Sequence, residues 1–326
     1  MTSGLTRLRS PVKSGHGRLF KHTVPGRRTA LTRVVSAPDG REIAVEEWGV
    51  PHGFPVFLLH GTPGSRLGPV PRPMVLYQHG IRLITFDRPG YGRSDRMTGR
   101  VVADVAADVR LLADLLNLED FSVLGRSGGG PHALACAALL PGRATRVAAL
   151  VGLAPAEAEG LDWFEGMAPS NTREYLAVRG QGRLASARLH SIADRIRANP
   201  AQYVASLYTE LTQSDRCVVL QAGMRRMLLE TFREAFRTSA DGWIDDLLAL
   251  CAPWGFELGD IVAPTMLWHG ANDTFSPAGH SRWLAGRIPN STIVVQSGSA
   301  HFGAYTVLPD VLAWLSRPAA RPSERL

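Results

Sequence analysis

The 326 residues are 45% hydrophobic and 20% charged, a globular balance that excludes a disordered chain and suits one large domain with an insertion, or two domains. The net charge of +7 raises the question of nucleic acid, but residues 1–38 hold eight basic residues and no acid, leaving 28 basic against 29 acidic residues for everything after. The folded body is therefore near neutral and no nucleic-acid partner is expected of it, and the absence of any 18-residue apolar run excludes a transmembrane helix.

In chain order, residues 1–29 read as a basic, disordered tail: they lack an apolar core of signal-peptide length, and no hydrophobic run follows the Arg27-Arg28 pair. Leu31–Ala37 and Glu42–Trp48 alternate around Pro38-Asp39-Gly40, which predicts an antiparallel hairpin. Pro55–Leu59 is a continuous apolar run, the pattern of a strand buried on both faces; Ile81–Phe86, the short apolar run Phe121–Leu124, and Ala144–Leu153 read as further strands. Helical spacing between them, as at Val101, Val105, Val109, Leu112 and Leu116, predicts a parallel sheet with right-handed crossovers. From 155 to 260 no strand-like run appears. Helical spacing dominates over 184–196, 201–211, 224–236 and 243–250, which reads as a helical cap inserted into the sheet domain. Pro264–Trp268 resumes the sheet, Ser291–Gln296 adds a strand, a last helix covers 305–315, and residues 318–326 form a polar tail. The predicted fold is α/β: a mostly parallel twisted sheet of about eight strands with helices on both faces, its core made of residues 30–154 and 261–317.

The three cysteines, Cys136, Cys217 and Cys251, are odd in number and scattered. That argues against a disulfide framework and for a reducing, cytoplasmic setting. No histidine pair has metal-ligand spacing, no lysine follows a glycine-rich run, and Gly125–Gly130 is not a dinucleotide fingerprint, so neither cofactor nor metal is expected.

Gly125-Arg126-Ser127-Gly128-Gly129 matches G-x-S-x-G directly after the Phe121–Leu124 run. At a sharp strand-to-helix turn a serine is held in a strained backbone conformation, and its neighbours two residues away must be nearly without side chains. Pro131 falls where a helix's first turn tolerates a missing N–H. The motif alone is also what a chance glycine-rich loop looks like, so context decides. A serine hydroxyl needs a base, and the base needs an orienting acid. In an open parallel sheet such groups meet at the carboxyl ends of strands. Three loops supply them in the order Ser127, Asp273, His301. Asp273 alone would serve as a helix cap, and Glu157 or Glu159 is an alternative acid.

On these residues the chain resembles the α/β-hydrolase superfamily, in the capped branch that includes esterases, prolyl aminopeptidases and epoxide-hydrolase relatives. The likeness spans roughly 31–315 and adds His60–Gly64 (HGTPG), Asp87–Ser94 (DRPGYGRS), His269–Asp273 (HGAND) and Gly298–Phe302 (GSAHF). It implies Ser127 as nucleophile, His301 as general base and Asp273 as its orienting acid. The backbone N–H groups of Thr62 and Gly128 would form the oxyanion hole, with His60 bracing the loop. Serine at the elbow implies acyl chemistry on a small-molecule ester, thioester or lactone with an apolar acyl part. An aminopeptidase or amidase, with Glu165 or Glu174 meeting a substrate amine, is the alternative, beside a non-hydrolysing lyase or ligand-binding member of the same fold. The oligomeric state stays open, a homodimer included.

Overall fold

A computed structural model describes residues 18–21, 31–180 and 182–317. The strands are β1 (Arg18–Lys21), β2 (Leu31–Ser36), β3 (Glu42–Gly49), β4 (Phe54–Leu59), β5 (Ile81–Phe86), β6 (Phe121–Arg126), β7 (Ala144–Leu150), β8 (Thr265–Gly270) and β9 (Ser291–Gln296). They form one sheet in the order β1-β2-β3-β5-β4-β6-β7-β8-β9. Pairing is antiparallel from β1 to β5 and parallel across β5, β4, β6, β7, β8 and β9. Strands β2 to β9 answer the expectation of about eight. The ninth, β1, is a correction: it lies in the stretch read as a disordered tail and pairs with β2, covering an edge that would otherwise stay open. The rest of residues 1–29, and the tail 318–326, lie outside the described residues.

The helices α1 (Pro73–Gln78), α2 (Val105–Leu115) and α3 (Gly129–Leu139) connect the parallel strands. Between β7 and β8 stand six more: α4 (Pro169–Gly180), α5 (Gly182–Ala198), α6 (Pro200–Leu207), α7 (Gln213–Val219), α8 (Ala222–Ala235) and α9 (Asp241–Cys251). The fold closes with α10 (Gly279–Ala285) and α11 (Leu308–Leu315). Two of these escape the apolar periodicity of the sequence. Helix α4 buries only Tyr175 and Val178, and α7 is barely two turns long, started by Thr212 Oγ1 accepting from the Asp215 N–H. The last helix begins later than its apolar spacing suggests, because His301–Tyr305 forms a separate tight turn.

The central strands are buried on both sides, which is why Pro55–Leu59 reads as an unbroken apolar run. Phe57 and Leu59 of β4 join the core shared with α2, α3 and the inserted helices, whereas Val56 and Leu58 face α1 and α11. The chain steps from β4 to β5 on one side and then to β6 on the other. The carboxyl ends of β4 and β6 therefore flank a topological switch point, where open α/β sheets leave a crevice. Phe57 and Phe121 pack edge to face beneath it, with ring centroids 5.0 Å apart, and both are fully buried. Phe57→Ala is expected to lower the unfolding free energy by about 3–5 kcal/mol in urea titrations, through lost burial and a cavity that the sheet cannot close.

Candidate active site

Ser127 sits in the left-handed region, with φ 53°, directly after β6. The turn is pinned on both sides: the Ser127 N–H donates to Leu150 O at 2.9 Å, and Ser127 O accepts from the Gly130 N–H at 2.8 Å. A Cβ on Gly125 would lie 2.2 Å from Gly129 O, and one on Gly129 would lie 2.3 Å from Leu59 O. Both glycines are thus required by contact with neighbouring backbone. The strained serine is held by packing that no other residue at 125 or 129 permits.

His301 and Asp273 meet at the carboxyl ends of β9 and β8. Asp273 Oδ2 lies 2.8 Å from His301 Nδ1, and Asp273 Oδ1 accepts the N–H groups of Phe275 (2.8 Å) and Ser276 (3.1 Å). His269 approaches the same carboxylate at 3.3 Å, while its Nδ1 lies 2.7 Å from Ser281 Oγ. Burial works against ionisation of Asp273, but His301 and His269 with their hydrogen bonds outweigh it and hold the carboxyl well below its usual range. The acid is therefore an anion at neutral pH, and His301 Nδ1–H donates to it, leaving Nε2 as the imidazole's other face. Glu157 and Glu159 are both exposed and neither bonds to His301.

Ser127 and His301 line one cavity of about 240 Å³, together with Gly61, Thr62, Phe275, Phe302 and the inserted segment's Glu174 and Glu210. No hydrogen bond joins Ser127 to His301 among the described residues. In an unliganded site such contacts are commonly long and tighten on substrate binding. The loop after β4 lies against the elbow: a Cβ on Gly128 would be 2.3 Å from Thr62 Oγ1 and 3.3 Å from the Thr62 amide nitrogen. His60 braces that loop, accepting from the Arg88 N–H at Nε2 (3.1 Å), which leaves Nδ1–H to donate to Gly61 O (2.8 Å). Glu165 is exposed and does not line the cavity; Glu174, half-buried, does.

What sequence reasoning missed is a buried charge cluster behind the Thr62 loop. Asp246 on α9 is fully buried and accepts from Thr62 Oγ1 (2.6 Å), Tyr91 OH (2.9 Å), Arg100 Nη2 (2.6 Å) and Arg88 Nη2. Arg88 also reaches the Gly61 carbonyl at 3.1 Å and that of His60. His132, behind the elbow, places Nδ1 2.8 Å from Gly128 O. Burial alone would neutralise Asp246, but Arg88 and Arg100 hold it well below the carboxylate range. The sequence signal was there: Asp246 falls on the apolar stripe of Trp243, Leu247 and Leu250, where a carboxylate needs a buried cation. A second acid from the insertion, Asp215 on α7, accepts the Phe302 N–H at 2.7 Å and so fixes the loop that carries His301. No group of residues able to hold a metal ion occurs among the described residues.

A family model described as alpha/beta hydrolase fold matches residues 55–306. The non-heme chloroperoxidase of Streptomyces lividans is 38% identical over 123 residues, 37% of this chain and 44% of that protein. The proline iminopeptidase of Xylella fastidiosa (strain 9a5c) is 32% identical over 156 residues, 44% of this chain and 48% of that protein. The chain thus spans less than half the length of either relative. Among solved structures, an alpha/beta hydrolase fold protein from Nakamurella multipartita superposes with a TM-score of 0.63 at 22% identity, covering 87% of this chain and 99% of that one.

The charge cluster makes a stability prediction of its own. Asp246→Ala strands Arg88 and Arg100 in a dry interior and is expected to cost about 3–5 kcal/mol in denaturant titrations. Asp241→Ala on the same helix, half-exposed, should cost under about 1 kcal/mol.

Proposed function

Since the chain belongs to the alpha/beta hydrolase fold family, we propose that it is a serine hydrolase cleaving an ester, thioester or lactone with an apolar acyl part. The observation that carries this reading is that a serine held at φ 53° shares one cavity with a histidine already paired to a buried carboxylate. Ser127 Oγ attacks the carbonyl carbon and its proton passes to His301 Nε2. The carbonyl electron pair moves onto oxygen, which the backbone N–H groups of Thr62 and Gly128 receive. Collapse of this intermediate expels the alcohol or thiol, which takes the proton from the imidazolium, and leaves an acyl-enzyme. Water then gives its proton to His301 and attacks the acyl carbon. The acid leaves as Ser127 recovers its proton. Asp273 keeps the imidazole in the tautomer that makes this possible and stabilises the imidazolium. Phe275, Phe302 and Phe232 give the cavity its apolar wall. The inserted helices would act as the cap that closes it. Among the described residues no helix is long and apolar enough to cross a membrane, and the cysteines are free, which supports a cytoplasmic protein acting on small molecules.

A second reading, an aminopeptidase or amidase, is favoured by Glu174 and Glu210 on the same cavity wall and by the likeness to an iminopeptidase. Burial pushes the Glu174 carboxyl up to about 7. Glu174 therefore gains its negative charge as pH rises through that value, and a cationic substrate is bound better above it than below. On this reading kcat/KM for an aminoacyl amide rises through about pH 7 and loses that step in Glu174→Gln. On the ester reading a matched neutral ester is the better substrate, and Glu174→Gln leaves its pH profile in place.

The common core of both readings is tested by a fluorophosphonate probe with intact-mass readout. Wild type is expected to take up one label per chain at Ser127, and Ser127→Ala none. His301→Ala should lower kcat by about 10⁴-fold or more. A folded wild-type protein that stays unlabelled would overturn the nucleophile assignment.

A further inference from the structure

The residue between Gly125 and Ser127 has so far no role. Arg126 lines the same cavity as Ser127 and His301, and its position can be fixed closely. A Cβ built on Gly61 would stand 3.4 Å from Ser127 Cβ and 3.5 Å from Arg126 Nη2, so the guanidinium lies beside the nucleophile. Its carbon sits 4.6 Å from the centroid of the Tyr305 ring, which supports the flat cation on one face. Arg126 has no carboxylate partner among the described residues, and its Nη1 is buried with no hydrogen-bond acceptor. The Tyr305 hydroxyl beside it is likewise buried and unpartnered. The other arginines lying deeper in this region have carboxylate partners, Arg66 in Asp87 and Glu234, Arg88 and Arg100 in Asp246, although the Nε of Arg66 and of Arg100 is also buried without an acceptor. The cavity's own acids do not answer Arg126. Glu174 and Glu210 come from the insertion, neither pairs with it, and Glu210 accepts instead from Ser170 Oγ.

A half-buried guanidinium with no carboxylate partner, next to a nucleophile and lining a substrate-sized cavity, lacks an anion. We infer that Arg126 binds a carboxylate carried by the substrate's acyl group, so that the preferred substrates are monoesters, thioesters or lactones of dicarboxylic acids. The inference rests on the acyl-hydrolase reading and narrows it. The planar fork donates two parallel N–H bonds to the carboxylate, and a few methylenes separate that carboxylate from the scissile carbonyl at Ser127. The methylenes pass along the phenylalanine wall, which reconciles an apolar lining with an anionic end group.

The test uses the full chain and two esters that differ only in charge: the mono-4-nitrophenyl ester of glutaric acid, and the same compound with its free carboxylate capped as a methyl ester. Nitrophenolate release reports cleavage of the same bond in both. Wild type is expected to favour the anionic ester by about tenfold or more in kcat/KM. Arg126→Met should bring the ratio near one, and Arg126→Lys should recover part of it. A wild-type ratio at or below one, or an equal loss on both esters in Arg126→Met, overturns the inference and leaves Arg126 as a brace for Tyr305. Titration calorimetry with glutarate separates this from the hydrolase reading. If neither ester is cleaved and Ser127 takes no fluorophosphonate, glutarate binding to wild type but not to Arg126→Met still upholds the carboxylate site, and equal or absent binding refutes it.

Discussion

The constraint on which this molecule depends is the close approach of two backbones at the carboxyl ends of β4 and β6. Leu59 pairs with Gly125 in the register, and its carbonyl would be 2.3 Å from a Cβ at position 129, four residues further along. That contact lets α3 start directly beneath the elbow and forces Ser127 into the left-handed region. It also brings the loop after β4 against Gly128, so that Thr62 and the residue after the serine become neighbours although 66 positions separate them. The strain in the serine is sustained by two buried strands whose apolar faces are filled on both sides, so the cost falls on the core rather than on the loop.

The inserted helices are fastened to this arrangement by charge as well as by packing. Asp246 ties α9 to Thr62, Arg88 and Arg100, and Asp215 ties α7 to the Phe302 N–H beside His301. Each of the two loops that frame the cavity is therefore held by a carboxylate from the insertion. An insertion that merely covered the cavity would need only apolar contacts. These anchors mean that the positions of the Thr62 and His301 loops depend on how α7 and α9 sit.

Sequence and structure agree where signals are local. The segments 55–59, 81–86, 121–124 and 144–150 were legible as strands because burial on both faces makes them mostly apolar. The elbow was legible for a similar reason: Gly125, Ser127 and Gly129 answer to a steric rule confined to five residues. Asp273 and His301 were legible only through chain order at strand ends, since nothing near either residue names its partner. The partners of Asp246 were hidden because Arg88 and Arg100 lie more than 140 positions away and join it only through the packing of α9 on the sheet domain. Arg126 was read as the free position of a motif, because the direction of a side chain at a turn is set by tertiary contacts, here Gly61 and Tyr305. Strand β1 was missed since an edge strand carries little apolar pattern of its own.

Asp246 and Asp273 are both buried carboxylates of this site's framework, and the chemistry of their partners separates their roles. Both are removed from water, both would be neutral if left alone, and both are held ionised by cations or donors. Asp246 is matched by two guanidiniums, which keep their protons at any pH where the protein is folded. Neither guanidinium exchanges a proton there, so these two pairs fix geometry. Asp273 is matched by imidazole, the one side chain whose unperturbed proton affinity lies near neutrality. On the hydrolase reading proposed above, Asp273 orients an imidazole that can take up and give back a proton, which a guanidinium cannot do. On that reading, the difference between a structural and a reactive ion pair is the difference between arginine and histidine, set against carboxylates that burial treats alike.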